Sequence, residues 1–215
     1  MRGRLAIVLC LFIAGVGQTA LATRVAWDPE TLALVERGDP KRGQELASAC
    51  SSCHGREGIS ANPAFPHLAG QLATYLYRQL RDYQDGSRQN SLMQGFAAGL
   101  SDQDMADLAA WYSRQRPPEP NLTTKASEPI LELVRRGDSK RILPPCQVCH
   151  GESGQGEKID TPRLAGQSQA YLEQTLKAYR DSSRHNDIYG RMREIAGQLS
   201  EEEIKQLAAY YARLR

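Results

Sequence analysis

The sequence repeats itself. Leu34 to Asp39 (LVERGD) returns as Leu133 to Asp138 (LVRRGD), Cys50 to Gly55 (CSSCHG) as Cys146 to Gly151 (CQVCHG), and Pro66 to Gln71 (PHLAGQ) as Pro162 to Gln167 (PRLAGQ). Leu100-Ser101 and the segment after it match Leu199-Ser200 and theirs. The four matches run in the same order in both halves. A chain of 215 residues built this way folds as two copies of one small unit.

Between the copies lies Pro117-Pro118-Glu119-Pro120-Asn121, a proline-rich stretch that reads as an extended, semi-rigid linker. The expected organisation is an N-terminal domain over 23–116, a linker over 117–128 and a C-terminal domain over 129–215. Each half carries helical periodicity. Leu72, Tyr75, Leu76, Leu80 and Tyr83 share one face, echoed by Leu172, Leu176 and Tyr179. Ser101 is placed to cap a helix bearing Met105, Leu108, Ala109 and Tyr112. Ser200 with Glu203 forms a capping box for its counterpart, which bears Ile204, Leu207, Ala208 and Tyr211. No segment alternates as a strand would. The expected fold class is all-α, a tandem pair of small helical domains.

The N-terminus reads as an export signal. Arg2 and Arg4 precede a short apolar run from Leu5 to Gly15, and Ala20-Leu21-Ala22 is a small-x-small cleavage site, so residues 1–22 are expected to be removed. The run is too short to span a bilayer comfortably. Cys10 leaves with it. Loss of Arg2 and Arg4 takes the formal charge from +2 to zero, which argues against nucleic acid as a partner.

Cys50-x-x-Cys53-His54 and Cys146-x-x-Cys149-His150 are the covalent haem attachment signature. Two thiols at that spacing can add to the two vinyl groups of one haem, and the next histidine can ligate iron from one face. The rival readings fit less well. Zinc ribbons bring their two cysteine pairs within about twenty residues, whereas most of a domain separates these. A redox dithiol belongs in a βαβ pattern, and a structural disulfide would not call for a histidine after both pairs. Aromatics are only 7% of the chain, and a small domain so composed often leans on a cofactor. Two haem c groups per chain are expected.

A six-coordinate electron carrier needs a second axial ligand, and methionine favours ferrous iron. Met93 precedes Leu100 by seven residues and Met192 precedes Leu199 by seven, so the two are equivalent. They are the expected distal ligands, opposite His54 and His150. Met105 aligns with Ile204 and reads as core packing. His67 and His185 align with Arg163 and Gln89 and read as surface residues. Arg191 and Arg193 flank Met192. Positive charge there disfavours ferric iron and implies a higher potential for the C-terminal haem, with Asp187 and Glu194 nearby to cancel part of it.

These residues together resemble the dihaem cytochrome c₄ family, two class I cytochrome c domains on one chain. The resemblance rests on both Cys-x-x-Cys-His-Gly motifs, on Phe65 to Gln71 with Tyr75-Leu76, on Gly86-Ser87-Arg88, Met93 and Leu100-Ser101-Asp102, and on the equivalents in the second half. It implies that the carbonyls of Pro66 and Pro162 accept a hydrogen bond from the ligating histidines. It also implies a periplasmic carrier exchanging electrons with redox protein donors and acceptors, often feeding a terminal oxidase, with no bond chemistry of its own. The alternatives are a subunit of a larger dehydrogenase complex or a haem enzyme. Two length differences stand out. Gly38 to Cys50 is three residues longer than Gly137 to Cys146, and Arg184 to Met192 is three longer than Arg88 to Met93.

Overall fold

The computed structural model describes residues 23–119, 126–157 and 159–214. Residues 1–22, read as an export signal, the centre of the linker, Lys158 and Arg215 lie outside the described residues.

The N-terminal half runs α1 (Pro29–Glu36), α2 (Pro40–Leu46), a 3₁₀ turn (Ala47–Ala49), α3 (Ser51–His54), α4 (Ala73–Gln84), α5 (Ser91–Ala97) and α6 (Asp102–Ser113). The C-terminal half runs α7 (Glu128–Arg136), α8 (Cys146–His150), α9 (Gln169–Arg180), a 3₁₀ turn (Ile188–Gly190), α10 (Arg191–Gly197) and α11 (Glu201–Ala212). The described residues form no extended strand, only the isolated bridges Asp138–Leu143 and Glu157–Thr161. No helix among them is long and apolar enough to cross a membrane.

Local chemistry sets the helix starts. Asp28 and Asp39 cap α1 and α2, each followed by a proline whose fixed φ suits the first helical position. Ser101 with Asp104 and Ser200 with Glu203 form full capping boxes on α6 and α11. There are two cores. Val35, Leu76, Tyr77, Met105, Leu108 and Tyr112 anchor one. Ile130, Val134, Leu172, Ile204, Leu207 and Tyr211 anchor the other. Met105 and Ile204 are both completely buried, in keeping with their alignment as packing residues.

The two length differences have structural counterparts. The longer N-terminal segment forms α2, which lies on α6, whereas the shorter C-terminal one makes a tight bridged turn at Asp138–Leu143. The three extra residues before Met192 accommodate the Ile188–Gly190 turn, where Tyr189 takes a positive φ of 57° with its ring almost fully exposed. Glycine at 43 permits the α2–α6 approach: a Cβ there would stand 2.0 Å from the Asp107 carbonyl oxygen. Gly43→Ala should therefore destabilise the protein by about 1–3 kcal/mol, read as a lowered midpoint in chemical denaturation.

Candidate functional site

Each Cys-x-x-Cys-His motif is folded as about one helical turn. Cys50 immediately precedes α3 and Cys146 opens α8, so the two thiols of each motif lie three residues apart on one helix face. Gly55 and Gly151, at φ 78° and 83°, end these turns in a conformation that side-chain-bearing residues avoid. The four thiols are half-buried and form no disulfide. Burial pushes up the Cys50 thiol, and pushes Cys146 up to about 11.

Both histidines are buried, and both are oriented in the same way. His54 Nδ1 lies 3.0 Å from the Pro66 carbonyl oxygen, and His150 Nδ1 lies 3.0 Å from that of Pro162. A carbonyl only accepts, so Nδ1 carries the proton and Nε2 keeps its lone pair. Burial also pulls both histidines below their ordinary pKa, outweighing the bond to proline, and keeps the rings neutral. A neutral, oriented imidazole beside two thiols is a preformed half-site for haem.

The methionines come from a different element. Met93 lies in the first turn of α5 and Met192 in the first turn of α10. Both are half-buried. Leu92 and Phe96 on α5 are half exposed, leaving apolar surface beside Met93. Among the described residues no cluster of three or more His, Cys, Asp or Glu is placed to hold a metal ion on side chains alone.

A second set of residues lies where the two halves meet. Arg88 stacks on the Tyr83 ring of its own half at 4.7 Å and donates to the Tyr171 hydroxyl of the other at 3.0 Å. Arg184, its repeat equivalent, stacks on Tyr179 at 4.6 Å and donates to the Tyr75 hydroxyl at 2.9 Å. Gln79 Oε1 accepts from both guanidiniums, and among the described residues neither forms an ion pair with a carboxylate. Burial pushes the Tyr171 phenol up, but the two arginines outweigh it and bring the phenol down. Ser87 Oγ and Gln79 Nε2 are buried without a partner. One buried and one half-buried guanidinium with orphaned donors beside them fit a group bearing carboxylates, and haem bears two.

Glutamines clasp the halves nearby. Gln71 Oε1 accepts from the Arg163 amide at 2.8 Å, and its Nε2 donates to the Arg163 carbonyl at 2.9 Å. Gln167 makes the same pair with His67, at 2.8 and 2.9 Å. Arg78 pairs with Asp160 at 3.3 Å, and Trp27 Nε1 donates to Asp160 at 2.8 Å. Pro117 seats on Gly70 and Pro118 near Gly166, so the linker starts at this interface.

Two sequence-based expectations change here. His67 is not a surface residue: its Nδ1 accepts from the Ser60 amide at 3.0 Å, and its backbone is held by Gln167. His185 is likewise half-buried. Arg193 donates to the buried Asp187 at 2.8 Å. That carboxylate offsets its charge and leaves Arg191 alone in the argument for a raised C-terminal potential. The sequence reading names Gln71, Tyr75 and Arg88 as repeated residues but gives them no role between the domains. Their signal is repetition: Gln71/Gln167, Tyr75/Tyr171 and Arg88/Arg184 recur in register although none is a core residue type.

The cytochrome c family profile matches the chain twice, over 40–113 and 140–214. Cytochrome c4 of Pseudomonas aeruginosa is 37% identical over 179 residues, covering 80% of this chain and 87% of that one. A thiosulfate dehydrogenase electron acceptor of Stutzerimonas stutzeri is 39% identical over 172 residues, covering 77% and 79%. The crystal structure of reduced cytochrome c4 from Pseudomonas stutzeri superposes with a TM-score of 0.77 at 34% identity, covering 83% of this chain and all of that one. With two such domains, each holding a thiol pair beside an oriented histidine, the chain belongs to the dihaem cytochrome c4 family of electron-transfer proteins, which carry two covalently bound haem c groups.

Proposed function

We propose that Cys50 and Cys53 hold one haem and Cys146 and Cys149 the other, that His54 and His150 ligate iron through Nε2, and that Met93 and Met192 supply the opposite ligands. The observation that carries this reading is the identical 3.0 Å bond from each motif histidine to a proline carbonyl, which leaves Nε2 free to bind iron. Bound haem supplies a one-electron couple. The protein's part is to hold both axial positions and keep each site dry, so that electrons pass with little rearrangement. The domains are taken as 23–116 and 129–215, joined by 117–128.

With both positions filled by protein ligands, substrate has no open site at iron, so the chain is a carrier and not an enzyme. The export signal read in residues 1–22 supports a periplasmic carrier that exchanges electrons with protein donors and acceptors and passes them on towards a terminal oxidase. A second reading has direct support. One relative is named as the electron acceptor of thiosulfate dehydrogenase. A thiosulfate dehydrogenase structure from Marichromatium purpuratum matches 81% of this chain, at 31% identity and a TM-score of 0.73, over 40% of its own length. A dehydrogenase is therefore a reasonable donor, bound transiently or as a lasting partner. Gel filtration of native periplasm separates these cases: a free carrier elutes at the size of the mature chain, a subunit well above it.

Acidified organic solvent should leave the haem on the protein, and a pyridine haemochrome assay should give two haems per chain. Haem released to the solvent refutes covalent attachment. The ferric protein should show the weak near-infrared charge-transfer band of methionine-ligated haem. Met93→Ala should remove about half of it, since two sites contribute, while Met105→Leu should leave it intact. Loss of the band in Met105→Leu would overturn the ligand assignment.

A further inference from the structure

We propose that Gln167 and Gln71 are positioning residues that tune the haem of the opposite domain through the peptide unit behind its axial histidine. The proposal rests on the ligand assignment above. The Pro66–His67 peptide accepts from His54 at its oxygen, 3.0 Å, and donates from its N–H to Gln167 Oε1, 2.8 Å. The Pro162–Arg163 peptide does the same between His150, 3.0 Å, and Gln71, 2.8 Å. Both glutamine side chains are buried, and each returns a bond from Nε2 to the next carbonyl, fixing its orientation. The amides of Leu72 and Ser168 also donate to Gln71 Oε1 and Gln167 Oε1, at 3.0 and 2.8 Å, and hold each in place from its own side.

The sign follows from peptide polarisation. An acceptor on the N–H draws electron density towards the carbonyl oxygen of the same peptide and makes it a stronger acceptor. A stronger bond from histidine Nδ1–H makes Nε2 more basic. A more basic axial ligand stabilises ferric iron, which carries the extra positive charge, and lowers the potential. Gln167, in the C-terminal domain, therefore lowers the potential of the N-terminal haem, and Gln71 lowers that of the C-terminal haem. Separating the domains would release both effects together, so docking and redox poise are linked in both directions.

The test uses the full haem-loaded chain with Gln167→Met, Gln71→Met and, as an interface control, Thr74→Val, which removes the hydroxyl bonded to the Ile159 carbonyl. Gln167→Met should raise the N-terminal potential and leave the C-terminal one in place. The electron-exchange equilibrium between the haems should move about threefold, less than the tenfold or more that follows loss of a group bonded directly to a ligand. Gln71→Met should act in mirror image, and Thr74→Val should move neither potential. In the reduced protein, the His54 Nδ1–H resonance should move upfield in Gln167→Met. A shift confined to the haem of the mutated domain, no shift, or equal shifts in all three variants overturns the proposal. Hydrogen exchange on the wild type needs no variant: the His67 and Arg163 amides should be protected, and free exchange there overturns it too. If the wild-type spectra show that His54 and His150 do not ligate iron, it is the ligand assignment that fails. If they do ligate and Gln167→Met moves nothing, the cross-domain tuning fails on its own.

Discussion

The bond from each motif histidine to a proline carbonyl is the constraint around which the rest is arranged. It ties the single helical turn that carries the thiols to a loop more distant in the chain. An imidazole buried without a partner would be costly. Buried with Nδ1 committed, it is neutral and directed, and its remaining nitrogen has one lone pair to offer. The helices of each domain hold that loop in place, since Gly70 and Gly166 in the two Leu-Ala-Gly-Gln loops donate their amides to the last turns of α6 and α11 at Tyr112 and Tyr211.

The same loops form the meeting surface of the two domains. One short segment, Pro66 to Gln71 or Pro162 to Gln167, orients a histidine with its first residue and reaches the other domain with its last. This economy explains why the segment repeats so closely when much of the surrounding sequence has diverged. It also makes the interface polar and specific. Glutamine–backbone pairs, stacked arginines and the Arg78–Asp160 ion pair demand one relative placement, where an apolar face would tolerate sliding.

The halves are not identical, and the differences fall around the sites. The N-terminal domain has α2 against α6, while the C-terminal domain has a tight turn with Ile142 exposed at a positive φ of 56°. The loop before Met192 is longer and presents Tyr189 to solvent, and Arg193 is held by Asp187. Two copies of one unit thus surround their sites with different charge and exposure.

Much was legible in the residues themselves. Motif spacing, helical periodicity and capping residues depend on separations of a few positions, so they specify the all-α class, the two domains, both attachment sites and the role of Met105 without knowledge of long-range contacts. The equivalence of Met93 and Met192 was legible because duplication supplies an internal alignment. What only the tertiary structure decided involves partners roughly a hundred residues apart. Nothing local in PHLAGQ says that its glutamine will bind the backbone of the other copy, that His67 will be drawn into that contact, or that Arg88 and Arg184 will reach across to tyrosines of the other domain. The physical reason is that hydrogen bonds are directional and short. Whether a polar side chain meets water or another domain depends on how two finished folds dock, and no periodicity in the chain encodes that.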